Sequence, residues 1–223
     1  GNVTQVGVRI YPKEGKSLDV NVRLEYFRTV ADTRQSTSSA KYILTLEEMT
    51  SYSGDLATVA RNIGRARQAF LFQAEALKGA EGMVDLSYLP GHDSATGIGH
   101  RIGNGYYDIY PPCNRNLEAN MYFYLSCVAL ANMEQALIDA GIQTEQTSVA
   151  NYDPYGVFDA ANAGQDAIVY DYTPEQLLAL AETIKTNVRR DYDEGGFWNP
   201  ETGRFAWGIY DAGSYGEEGT PLD

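Results

Sequence analysis

The sequence predicts a mainly helical fold preceded by a short β segment. Three observations carry this: an alternating stretch near the start, three later stretches with helical spacing of apolar residues, and long glycine- and aromatic-rich loops between them. In the first, TQVGVRI (4–10) alternates, and the turn-forming PKEGKS leads to LDVNVRLEYF (18–27). There Val20, Val22, Leu24 and Tyr26 share one face, while Asn21, Arg23 and Glu25 share the other. Such a segment is a hairpin or sandwich edge with one wet face, too small to be stable alone. TVADTRQSTSSAK (29–41) reads as a polar linker. Residues 1–45 are therefore expected to form the β segment and 46–223 the helical domain.

From Leu46 onward the period is helical. Asp55 caps a long helix whose stripe is Leu56, Val59, Ile63, Ala66, Phe70, Ala74 and Leu77, with Gly79 just past its end. Residues 79–113 have no sustained period and many glycines, and a loop of that length inside a compact domain is usually functional. A second helix is expected over about 115–140, with Leu117, Met121, Tyr124, Leu125, Val128, Ala131 and Leu137 inward and Gly141 as its stop. VFDAANAGQDAIVYD (157–171) reads as one short helix. Thr173-Pro174-Glu175-Gln176 is a start signal: a threonine cap, proline in the first turn and glutamine at the third position. The helix it opens, to about Asp191, turns Leu177, Leu180, Ala181, Ile184 and Val188 inward. The tail, FWNPETGRFAWGIYDAGSYGEEGTPLD, is a second aromatic loop region with a short hairpin at 205–210.

Composition narrows the function. Thirty acids against 17 bases give a net charge of −13, which repels phosphate backbones and anionic membranes. Nucleic acid and membrane are thus not expected as partners. The longest apolar runs, such as YFYLSCVALA (122–131), fall short of a membrane span. Cys113 and Cys127 lack metal-ligand spacing, and His92 and His100 alone do not make a closed site, so neither metal nor cofactor is expected. Seventeen tyrosines, against seven phenylalanines and two tryptophans, favour rings with a polar edge, which suit amphiphilic ligands such as sugars.

Carbohydrate chemistry has a definite requirement. Cleaving a glycosidic bond normally takes two carboxylates, one to protonate the leaving oxygen and one to attack or to activate water. The loop carboxylates are Asp85, Asp93, Asp108, Asp211, Glu217, Glu218 and Asp223, with Glu118 at a helix start. Asp108 is the best acid, because Tyr106, Tyr107 and Tyr110 beside it would desolvate the carboxyl. His92, His100 and Arg101 form a second polar group in the same glycine-rich loop, and Trp198 and Trp207 offer stacking faces in the tail.

A resemblance points the same way. NGYYDIYPPCNRNLEANMYFYLSCVALANMEQAL (104–137) resembles the part of the six-hairpin glycosidases, the (α/α)6 toroids, where a W/Y-D-x-x-P loop leads into an inner helix. GFWNPETGRFAWGIYDAGS (196–214) is similar to their N-x-x-T-G-R-F loop between hairpins, and the β segment resembles the sandwich that precedes the toroid in α-L-rhamnosidase-like enzymes. The resemblance implies a glycoside hydrolase with Asp108 as acid and Tyr107 as the aromatic before it. Asn120 and Tyr122 match polar positions of the inner helix. It does not fix the second carboxylate, for which Glu118, Glu218 and Asp223 are the candidates. An extracellular or periplasmic protein, its signal peptide removed, is the matching expectation. Six hairpins exceed about 300 residues at ordinary helix and loop lengths, so 223 residues imply a partial toroid. A partial toroid exposes apolar helix faces and favours association with another copy or a missing segment. The alternatives are a non-catalytic carbohydrate-binding or structural fragment and a polysaccharide lyase, with Tyr or His as base and Arg101 neutralising a uronate.

Overall fold

A computed structural model describes residues 37–86, 113–150 and 167–209. The hairpin and sandwich readings for 4–27 and most of the long loop after Gly79 lie outside these residues. The described part is mainly helical, as the sequence leads one to expect.

Its first element is α1, Ser38–Ser53, so helix begins inside the stretch read as a linker and ahead of Leu46. Serines and threonines there are compatible with a helix start, and Ala40, Ile43 and Leu46 supply the buried face that fixes it. Gly54, in the left-handed region at φ +66°, closes α1 and turns the chain into α2, Leu56–Leu71. Asp55 caps α2 by accepting from the Thr58 amide at 3.1 Å. The stripe read from the sequence is the buried one: Val59, Ile63, Ala66 and Phe70 face the core.

The helix then widens into a π turn, Phe72–Ala76, with the Leu77 amide reaching back five residues to the Phe72 carbonyl at 3.2 Å. The residue in the left-handed region after it is Lys78, at φ 61°, and Gly79 opens a short 3-10 turn instead. Glycine is needed at 79 for space: a Cβ there would lie 2.5 Å from the Phe123 ring and 2.7 Å from the Gln73 carbonyl.

Helix α3, Leu117–Asp139, lies at the centre and packs against α1, α2 and α4. Asn116 caps it, accepting from the Ala119 amide at 2.9 Å, and the chain leaves it through Gly141 at φ 66°. Its buried face matches the expected one only in part. Ala131 and Leu137 are buried as expected, Phe123, Cys127, Leu130 and Met133 join them, and Met121 and Leu125 are 53% and 43% exposed. The helix is apolar nearly all round, so its neighbours rather than its own pattern choose the face. Phe70 stacks on Phe123 at 5.7 Å while Arg67 reaches Glu134, so α2 and α3 run antiparallel.

Two short strands precede α4. β2, Ser148–Ala150, pairs antiparallel with β3, Ala167–Val169, so Ala-Ile-Val is strand where a short helix was expected. The β-branched Ile168 and Val169 account for the preference. Helix α4, Pro174–Arg189, opens on the full capping box read from Thr173 and Gln176 and buries Leu177, Ala181 and Ile184. In the tail, β4, Trp198–Asn199, and β5, Arg204–Phe205, form a hairpin whose turn is held by Asn199, which accepts from the Glu201 and Thr202 amides. The hairpin expected at 205–210 thus lies earlier, around Pro200-Glu201-Thr202-Gly203. Gly208–Ile209, β6, pairs instead with β1, Arg115–Asn116, at the head of α3. No helix among the described residues is long and apolar enough to cross a membrane.

Candidate functional site at the head of the central helix

The end of α2, the start of α3 and the end of α4 meet at one end of the helical body. Five hydrogen bonds tie their segments together there. Asn187 donates to the Gly82 carbonyl at 3.1 Å, and Asn120 accepts from the Val84 amide at 2.7 Å. The Leu86 amide donates to Asn114, the Asn114 amide to Ile209, and the Leu117 amide to the Trp207 carbonyl at 2.9 Å. Leu86 and Asn114 flank the stretch that holds Asp108, and Ile209 precedes the stretch that holds Glu218. Leu86, Asn114 and Ile209 are therefore held at this end.

Four site residues read from the sequence fall within the described structure. Glu118 sits in the first turn of α3, complementing the positive end of the helix dipole. Its Oε2 is buried and has no hydrogen-bond partner among the described residues. A buried oxygen left this way costs roughly 1–3 kcal/mol. Trp207 is half-buried, its carbonyl accepting from the Leu117 amide next to Glu118.

Asn120 is fully buried and acts on the chain itself, since its amide also donates to the Val84 and Asn116 carbonyls at 3.2 and 2.9 Å. It clamps residue 84 to α3 and has little left for a ligand. Trp198 stands on the β4–β5 hairpin with its ring edge-on to Phe205 at 5.1 Å. The structure thus holds the Trp207 backbone against the first turn of α3, which carries Glu118 and the scaffold residue Asn120, and sets Trp198 on a separate hairpin. Asp108, Tyr106, Tyr107, Tyr110, His92, His100, Arg101 and Glu218 lie outside the described residues.

Sequence reasoning missed a polar cavity of about 460 Å³ at the same end, lined by Lys78, Glu81, Met83, Asp85, Arg115, Asn187 and Arg190. These side chains come from separate segments, and no local motif joins them. Asp85 alone was visible, as one loop carboxylate among many. Cys113 is buried beside Gly208, and burial pushes its thiol up to about 12, so it packs rather than reacts.

The other charged feature lies further along α3. Arg67 binds both oxygens of Glu134, at 2.6 and 2.7 Å, and donates to the Glu145 carbonyl at 3.1 Å. Both side chains are buried, and the Arg67 guanidinium lies 5.2 Å from the Tyr170 ring centroid. The Glu134 bonds hold Arg67 further toward its charged form. This pair joins α2 to α3.

No family model matches the chain, and neither a curated protein nor a solved structure matches it.

Proposed function

We propose that the protein is a glycoside hydrolase acting on an oligo- or polysaccharide by carboxylate general acid/base catalysis, on helical hairpins of an (α/α)6-type toroid. The observation that carries the reading is Glu118: a carboxylate at the head of the central helix, with a buried oxygen free of any partner among the described residues. Asp108 is the proton donor and Glu118 the second carboxylate, with Trp207 beside it to pack against a sugar ring. In support, Leu86 and Asn114, which flank the Tyr-Tyr-Asp stretch in sequence, are hydrogen-bonded to each other near the start of α3. Antiparallel helices in sequence order suit a toroid of hairpins.

The test is release of reducing ends from a panel of neutral and acidic glycans. The wild type is expected to hydrolyse at least one of them. Asp108→Asn and Glu118→Gln should each lower kcat by a factor of 100 or more, roughly the usual worth of an acid/base group, while binding is kept. Binding without turnover by the wild type would instead make the chain a carbohydrate-binding module. An unsaturated product would make it a lyase.

A further inference from the structure

We infer that the chain self-associates through the outer face of α3 and α4, as a two-fold dimer in which two α4 helices run antiparallel. The inference is independent of the proposed activity.

Between α3 and α4 runs a groove of about 360 Å³, lined by Leu117, Met121, Leu125, Ile184, Val188 and Phe205. Met121 is 53% exposed, Leu125 43% and Phe205 45%, although all three are large apolar side chains. Leu178, on the α4 face that carries Lys185 and Arg189, is 45% exposed. Three large apolar residues exposed in one groove are more than singly scattered exposure.

What covers the groove is indicated by charge. Glu175, Leu178, Glu182, Lys185 and Arg189 are spaced three and four residues apart, so they form one stripe along α4. Its first half is acidic and its second half basic. Lys185 and Arg189 also form the rim of the apolar groove.

A stripe polarised in this way is complementary to itself when reversed. A two-fold axis between Glu182 and Lys185 sets each Glu182 against the copy's Lys185. It also brings each Glu175 within reach of the copy's Arg189. The same operation opposes the two helix dipoles and lays the aliphatic stem of Arg189 over the copy's Leu178. A parallel arrangement would set like charges together. The symmetric partner therefore fits both the apolar and the charged parts of one surface. In the single chain Lys185 holds Glu182 at 2.9 Å within the same helix, and the dimer lets each group exchange that exposed bond for one across the interface.

Sedimentation velocity on the full chain, from about 1 μM to 1 mM, reads the outcome directly. The expected result is a concentration-dependent shift to twice the chain mass. Met121→Glu with Leu125→Glu should weaken it by at least about tenfold, as should Lys185→Glu alone. Combining Lys185→Glu with Glu182→Lys reverses both members of the pair and should restore most of the lost affinity. Because all these positions are exposed or half-buried, circular dichroism should show an unchanged melt in each variant. A single-chain mass throughout the range overturns the inference and leaves the groove to a helix of another protein. A dimer that the Met121/Leu125 variant leaves intact overturns it too, since the interface would then lie elsewhere.

Discussion

The two ends of α3 hold the same side chain in opposite situations. Near its close, Glu134 is buried with both oxygens bound by Arg67. In its first turn, Glu118 has a buried oxygen with no partner among the described residues. A carboxylate that is fully answered stabilises a fold by its presence and is costly to disturb. One with an unanswered oxygen adds little to stability. The contrast sets a framework carboxylate against a candidate one within a single helix.

Breaking the answered pair should have the largest effect. Glu134→Ala strands the Arg67 charge in the interior and should lower stability by about 3–5 kcal/mol, read from urea unfolding. Replacing both partners, Arg67→Met with Glu134→Leu, should recover most of that loss, because neither charge then remains to be desolvated. Next comes the clamp below the site. Asn120→Ala leaves the Val84 amide and carbonyl without their partners and should cost about 1–3 kcal/mol. It should also reduce binding at Glu118, two residues earlier in the same helix, by moving the frame.

Alkaline pH acts on the same interior. Burial raises the thiols of Cys113 and Cys127 and the phenols of Tyr170 and Tyr172 above their ordinary values. Unfolded thiols titrate near about 8.5 and unfolded phenols near about 10. Each group keeps its proton longer in the folded state, so its contribution is complete below the unfolded value and is lost as pH rises beyond it. Urea midpoints should fall steadily from pH 8 upward, and tyrosinate absorbance should show a fraction of phenols ionising only as the chain unfolds. A midpoint flat to pH 10 would show these groups to be reachable by solvent.

The smallest change in stability should come from the site. Glu118→Gln should shift the melting temperature only slightly, in either direction, because no observed bond is lost. Against the proposed drop in turnover, that combination would distinguish a working carboxylate from a structural one. A loss as large as that of Glu134→Ala would erase the contrast.

How far the sequence reached depends on where each signal resides. The α4 capping box is local to Thr173–Gln176, and the α2 stripe repeats along one strongly amphipathic helix, so both could be read directly. The α3 face could not, because Met121, Leu125 and Phe123 look alike until α1, α2 and α4 take their places. The Arg67–Glu134 pair spans two helices, and nothing beside Arg67 announces its partner. At the candidate site, the position of Glu118 at a helix start was legible. The cavity of Asp85, Arg115 and Arg190 was not, since three separate segments build it. Gly208 looked like part of a local hairpin, yet its backbone pairs with Asn116, far back in the chain.

The π turn at Phe72–Ala76 gives the molecule a reading frame. It holds one residue more than an α turn would, and the chain from Leu77 to Leu86 is indexed from it. Deleting a single residue there would restore α geometry and rotate the chain beyond it by about 100°, carrying Val84 away from Asn120. Lengthening or shortening this turn is therefore a frameshift in space: the composition is almost unchanged, while the floor of the site is addressed to the wrong place.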